Sequence, residues 1–352
     1  MRKVVQTLLI TCFFHLISCD TDSNKTEYDL RLEGTNYHWE FVRDFNRKIG
    51  LDKHVQYNNG ILKAPSYFNG DLWAINQNSA QIVKFNDNLV EIEQRGKKGD
   101  GYIDENISFN HFFVEDKFYF IFDANSFVLK RYDLEKDSLL DYRYFDKYNT
   151  AITNIGRDDF YLAPESDSIS DSFFFDKYSY YIDEHTNIGS INEILQIPKS
   201  IDLAYMVYDG QLISGKNYVV YYFFKVGKFL VFDRNEGFKF ELKTIDETPT
   251  PIGIIETDGN SEVYTTNPKH TFFLDGQVNE NKLYLLNNIA ENDHHCIDIY
   301  DLNNRSYEGS IKLDALSDTQ LPVSFAVNDS DLIVIYEDMV VRKYTITNHK
   351  KD

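Results

Sequence analysis

Phe118-Tyr119-Phe120-Ile121-Phe122 is followed, one turn later, by Leu129-Lys130-Arg131-Tyr132-Asp133. The first run contains no charged residue and does not alternate, so a strand built from it must be covered on both faces. A sandwich strand with one wet face would alternate apolar with polar. Similar dense runs recur at Leu72-Trp73-Ala74-Ile75, Val219-Val220-Tyr221-Tyr222-Phe223-Phe224, Leu283-Tyr284-Leu285-Leu286 and Leu332-Ile333-Val334-Ile335-Tyr336. Second strands closing in an aromatic or Ile before Asp or Asn recur at Ile82-Val83-Lys84-Phe85-Asn86, Tyr180-Tyr181-Ile182-Asp183, Leu230-Val231-Phe232-Asp233 and Ile297-Asp298-Ile299-Tyr300-Asp301. A degenerate copy, Val341-Arg342-Lys343-Tyr344-Thr345, comes last.

The closing positions 86, 133, 183, 233, 301 and 345 are 47, 50, 50, 68 and 44 residues apart. A period in the forties to fifty suits one four-stranded propeller blade, and stacking each blade between two neighbours explains central strands that are apolar on both sides. The fold expected is therefore all-β, a six-bladed β-propeller. A parallel α/β sheet would need amphipathic crossover helices, and Asn192-Glu193-Ile194-Leu195 offers no more than a short turn. The 68-residue interval is expected to hold a loop over Asp246 to Lys269, marked by Pro249, Pro251 and Pro268. Only seven residues follow Thr345, so the last blade needs an outer strand from the other end of the chain. Tyr28-Asp29-Leu30-Arg31-Leu32 and Trp39 to Val42 are the two candidates; either would remove an exposed edge.

The start of the chain has a different character. Met1-Arg2-Lys3 is basic, Val4 to Leu16 is mostly apolar, and Gln6, Thr7 and His15 interrupt the run. It is too short for the roughly 20 helical residues that cross a bilayer, and it has the asymmetry of a secretory signal peptide. Leu16-Ile17-Ser18-Cys19 resembles the lipobox of bacterial lipoproteins. The resemblance implies cleavage before Cys19 and lipid attachment to its thiol, the one nucleophile suited to that transfer. Asp20 to Thr26 is polar, as a tether should be. The organisation expected is a signal peptide over 1–18, a lipidated tether over 19–27 and the propeller over 28–352.

With the leader and the blades on the page, the chain resembles the six-bladed β-propeller lipoproteins of Gram-negative bacteria, an NHL-like group. Arg95-Gly96-Lys97-Lys98-Gly99-Asp100-Gly101-Tyr102 looks like that group's glycine-rich loop, without the proline usual near its end. The resemblance implies fold and location, in the cell envelope on a lipid anchor, more than it implies a reaction. Asp20 after the cysteine acts as an inner-membrane retention signal in some bacteria, while others follow different rules; the location expected is the outer membrane, on its periplasmic or surface side, ahead of the inner.

Charge and composition narrow the partners. The 352 residues carry 36 basic and 56 acidic side chains, a net of −20, and losing Arg2 and Lys3 with the leader makes it two more negative. Such a surface repels phosphate backbones, which excludes nucleic acid as a partner. The membrane, through the N-terminal lipid, and an envelope protein or glycan are the partners expected. With Cys12 in the leader and Cys19 lipidated, Cys296 has no disulfide partner.

No catalytic constellation is visible. Gly96, Gly99 and Gly101 lack the Lys-Ser or Lys-Thr of a phosphate loop, and no G-x-S-x-G elbow occurs. His294-His295-Cys296 offers too few ligands for zinc and reads as a surface strand with incidental histidines. Asp123-Ala124-Asn125 and Asn86-Asp87-Asn88 read as turns rather than calcium loops. Propeller ligands sit at the channel mouth, on the innermost strands, here expected over Ile107 to Val114, Thr150 to Ile155 and His270 to Leu274. Their polar members Asn110, His111, Asn154 and His270 are the binding candidates. The function expected is a non-enzymatic, membrane-tethered binding or scaffold module with no cofactor. The alternative is a calcium-dependent, lactonase-like hydrolase that holds its metal in the channel.

Replacing the acceptor thiol tests the anchor. Cys19→Ser is expected to abolish incorporation of labelled fatty acid and to release the protein from membranes; a labelled, membrane-bound variant contradicts the reading.

Overall fold

The computed structural model describes residues 43–96, 111–146, 149–156, 158–164, 174–196, 204–246, 250–258, 261–267, 271–288, 295–313 and 320–348. Cys19, the segments expected as leader and tether, and both candidate closing strands lie outside these residues, as does most of the glycine-rich stretch after Gly96.

After a leading strand, β1 (Arg47–Gln56), the chain forms four antiparallel sheets of four strands each, every one a meander in sequence order. They are β2 (Leu62–Phe68) to β5 (Glu91–Arg95), β6 (His111–Val114) to β9 (Ser138–Tyr144), β10 (Asn149–Gly156) to β13 (Glu184–Ser190), and β14 (Gly210–Ser214) to β17 (Gly237–Lys243). A hairpin, β18 (Ile252–Asp258) and β19 (Ser261–Asn267), comes next. The last sheet has eight strands, in the order β20 (Phe273–Asn279), β21 (Lys282–Asn287), β22 (Cys296–Asp301), β23 (Ser306–Lys312), β1, β26 (Val340–Asn348), β25 (Asp331–Tyr336), β24 (Pro322–Asn328). Its two halves meet at one parallel register pair, Arg47 with Ile311.

The sheets stand face to face, in a propeller arrangement, because their second strands have no wet side. In β3 (Asp71–Asn76), β7 (Phe118–Asp123), β15 (Tyr218–Phe223), β21 and β25, every residue is buried apart from the first in most strands. Their side chains go alternately to the two neighbouring sheets. Tyr119 and Ile121 pack with Trp73 and Ile82 on one side, and Phe120 and Phe122 with Phe160 and Tyr178 on the other. Each fully buried large side chain contributes about 1.5–3 kcal/mol. The fourth strands, at the rim, alternate instead, as in Glu91–Arg95.

The Asp or Asn that closes the repeat has a local cause. Its carboxylate or amide oxygen accepts backbone N–H groups of the next turn: Asn86 from Asn88 and Val90, Asp233 from Asn235 and Glu236, Asp301 from Asn303 and Asn304. These Asx turns start the hairpin into the outer strand. Asp123 does the same for Asn125 and Ser126, so the fragments that resemble calcium loops are turns.

Three expectations need correction. The third strand of the β10–β13 sheet is β12 (Phe174–Ser179), and Tyr180 to Asp183 is the turn after it, with Asp183 at φ 55°. Its aromatics serve packing: Tyr180 is buried, and Tyr181 lies over the Arg131 guanidinium at 4.9 Å. The expected loop over Asp246 to Lys269 contains the β18–β19 hairpin, because the β-branched runs around Ile254 and Thr265 outweigh the flanking prolines. The strand that pairs with β26 is β1, in register from Arg47 with Asn348 to Gln56 with Val340. The Asn192–Leu195 turn belongs to a five-residue helix, α1 (Ile191–Leu195), started by a capping box of Ser190 and Glu193.

The segment before β1 is clamped by a buried ion cluster. The fully buried Arg43 guanidinium donates to Asp298 at 2.9 and 3.1 Å and to Asp246 at 2.5 Å. Asn287 donates to Asp246 at 2.6 Å and Ser310 to Asp298 at 2.5 Å. Burial by itself would lower the Arg43 pKa; the facing Asp298, with Cys296 and Asp246, outweighs it and keeps the cation charged. Asp246 is pushed up to about 7, by burial first and against the pull of Arg43. Gly309, at φ +146°, makes room: a Cβ there would sit 2.1 Å from Oδ1 of Asn46.

Removing one partner of a buried ion group leaves the others uncompensated, at about 3–5 kcal/mol. Arg43→Ala should therefore lower stability to urea by about that much at pH 8. The loss should shrink toward pH 4, where Asp246 is protonated; a loss that does not vary with pH contradicts the charge argument.

Candidate functional site

The first strands β2, β6, β10, β14, β20 and β24 surround one cavity of about 210 Å³. First strands of different sheets make no ladder with each other, so side chains bridge them. Thr153 on β10 donates to Ser214 on β14 at 3.1 Å, and Ser214 donates to the Asn154 carbonyl at 2.5 Å. Gln277 on β20 reaches the Pro65 carbonyl on β2 at 2.8 Å. Asp275 on β20 accepts from the Phe325 backbone N–H on β24 at 3.0 Å and from that of Gly276 at 2.8 Å.

Register places three polar side chains at one level of this cavity. His111, Gln211 and Asp275 each stand opposite the penultimate residue of the neighbouring second strand, namely Phe122, Tyr222 and Leu286. All three line the cavity. Gln211 receives the Tyr222 hydroxyl at 3.3 Å, a long contact for that donor. Tyr222 packs closely because Gly276 carries no side chain; a Cβ there would lie 2.7 Å from its ring.

The electrostatics of this layer are unusual for so acidic a chain. Asp275 is half-buried where it lines the cavity, with protein packed around it, and that burial pushes its carboxyl up to about 7 against the pull of its two backbone donors. Burial likewise lowers His111 to about 4, so its imidazole is neutral at neutral pH. No lysine or arginine is among the described residues lining the cavity.

Of the sequence candidates, His111 lines the cavity. Asn154 is half-buried at the end of β10, where its side-chain oxygen accepts the Gly156 N–H at 2.7 Å and caps the turn. Asn110 and His270 lie outside the described residues. Asp275, Gln277 and Gln211 were not singled out from the sequence, but a signal existed. His111, Gln211 and Asp275 each fall seven residues before the start of a second strand. His295 and Cys296 do not belong to a surface strand as expected. His295 is buried just before β22 and Cys296 is buried at its start, with the Cys296 thiol 3.8 Å from Asp298. Among the described residues, no group of three His, Cys, Asp or Glu side chains is placed to hold a metal ion. No helix among them is long and apolar enough to cross a membrane.

Comparison with solved structures bears on the fold alone. A crystal structure of a protein from Bacteroides fragilis NCTC 9343, assigned as exported, is similar at a TM-score of 0.52 and 13% identity, over 88% of this chain and 97% of that one. The fold is that of a β-propeller. Streptogramin B lyase (TM-score 0.47, 11% identity, 84% of this chain and 98% of that one) and a β-propeller domain from Myceliophteria thermophila (0.47, 8%, 85% and 100%) are more distant. No family model and no curated protein matches the chain.

The raised Asp275 carboxyl fixes a pH dependence. The folded protein holds a proton there that the unfolded chain releases near pH 4, so stability from this group falls as pH rises from about 4 to 7. Asp246 contributes in the same direction, so the comparison must be between variants. Asp275→Asn should flatten the decline in melting temperature between pH 4 and 7 relative to the parent protein. An unchanged slope contradicts the assignment.

Proposed function

We propose that the protein is a six-bladed propeller, tethered through lipid on Cys19 to an envelope membrane, that acts as a binding module and takes its ligand in the central channel. The blade count counts the eight-stranded sheet as two blades, β20–β23 and β24–β26 with β1, touching at a single register pair. Six first strands around one cavity support that count. The lipobox supports the anchor, and the exported relative in structure is consistent with an extracytoplasmic location.

The observation that carries the binding reading is the layer of His111, Gln211 and Asp275. Polar groups turned into a cavity and only partly used by the protein's own hydrogen bonds are what fixes a ligand's orientation. Nothing in that layer forms a nucleophile with its base, and a calcium site would need six to eight oxygens, where Asp275 is the one carboxylate among the described lining residues. The hydrolase reading therefore stands second. The candidate ligand is a small molecule or the end of a glycan or peptide chain in the envelope.

Filling the channel tests this reading. Ser66 lines the cavity from β2, and Ser66→Trp should abolish retention of the protein on immobilised envelope glycans and peptides while leaving its melting transition cooperative. Equal retention by the filled variant contradicts the channel as the binding site.

A further inference from the structure

We infer that the channel receives an ammonium group, carried on a short alkyl chain, with Asp275 as its counter-ion. This rests on the channel-binding reading and narrows it to one ligand class. The carboxylate supplies the first reason. An ionised carboxylate has about four acceptor sites, and Asp275 fills two, one on each oxygen, with the backbone N–H groups of Gly276 and Phe325. Each oxygen keeps a free lone pair.

The surroundings supply the second reason. Of the four acidic side chains buried among the described residues, three have a cation beside them, Asp246 and Asp298 with Arg43 and Asp158 with Arg131 at 3.3 Å, and the fourth, Asp123, is taken up by its own turn through Asn125 and Ser126. Asp275 has none, since the described residues lining the cavity offer no lysine or arginine and His111 is neutral there. A buried carboxylate without a counter-ion is costly to ionise. A ligand that brings a positive charge recovers that cost on binding.

The shape of the cavity decides between kinds of cation. Calcium needs more oxygen ligands than one carboxylate provides, and no metal-holding group of three acidic, His or Cys side chains exists among the described residues. An ammonium group needs one carboxylate and one or two neutral acceptors, and Gln211 stands at the same level of the channel. The half-buried Ile213 and Val278 also line the cavity, giving methylene groups an apolar contact. The net charge of −20 would concentrate cations at the mouth.

The experiment is a thermal-shift titration of the full-length protein with n-butylammonium, n-butanol, calcium and N-acetylglucosamine, at pH 8 and pH 5. The titratable groups lining the cavity are Tyr67, His111 and Asp275. Burial, with Asp331 and Asp87, pushes the Tyr67 hydroxyl well up, and His111 is neutral above about pH 4. Of the groups lining the cavity, Asp275 alone therefore changes charge between the two pH values. Butylammonium should raise the melting temperature saturably at pH 8, with affinity one to two orders of magnitude weaker at pH 5. The shift should vanish in Asp275→Asn, and equally in Ser66→Trp, which leaves the carboxylate in place. Butanol as effective as butylammonium, a shift that survives in Asp275→Asn, or a response to calcium or the sugar without one to the amine would overturn the ammonium inference and leave channel binding standing. No response to any probe, with Ser66→Trp also retaining its envelope ligands, would overturn both.

Discussion

Everything in this structure depends on one constraint: the second strand of each blade has no face left for water. A strand such as Tyr218–Phe223, buried at every position, can exist only with a sheet on each side. Each neighbouring sheet has the same requirement, so the arrangement is satisfied when the stack bends round and closes on itself. Closure needs β1, from the start of the described chain, to pair with β26 from its end. Arg43 then holds the segment before β1 against Asp298 and Asp246, far away in sequence.

The same constraint decides where polar chemistry can occur. The middle of each sheet is filled mostly by apolar contacts, so charged groups lie mainly at the rim, in the turns or on the innermost strands, and those kept inside, such as Asp298 and Arg131, are paired. At the rim they are solvated, and in the turns they are consumed by Asx hydrogen bonds such as those of Asp233 and Asp301. On the innermost strands Asp275, the one carboxylate among the described lining residues, shares a cavity with the neutral His111 and Gln211. Among the carboxyls that burial pushes up toward neutrality, Asp246 and Asp275 mark two solutions of one problem. Asp246 is compensated from within the chain by Arg43, and Asp275 is left for something from outside.

How far the sequence disclosed this follows from how each signal is encoded. Two-sided burial is written locally, as unbroken runs like Phe118–Phe122, so the all-β class and the repeat could be read without a structure. The Asx turn is also local, and it set the repeat's punctuation, except where Tyr180 to Asp183 used aromatics to cover Arg131 rather than to build a strand. The outer strand supplied by Arg47–Gln56 was missed because its alternation breaks at the register shift between Leu51 and Lys53 and because it carries charges. The channel was half legible. His111 followed from its place before a dense run, whereas Asp275, in Phe272-Phe273-Leu274-Asp275-Gly276, resembles the start of a turn until the blades are aligned on their second strands.

Hydrogen exchange by mass spectrometry measures the central constraint directly, because amide protection reports how much of the molecule must open before water reaches a strand. The account predicts that the amides of β7, β15, β21 and β25 exchange slowest and together, at the rate of global unfolding. The rim strands Glu91–Arg95 and Ser138–Tyr144 should exchange earlier, through local opening. Fast exchange in β7 or β15, while the rest of their sheets stays protected, would mean that water reaches one side of those strands, and would contradict it.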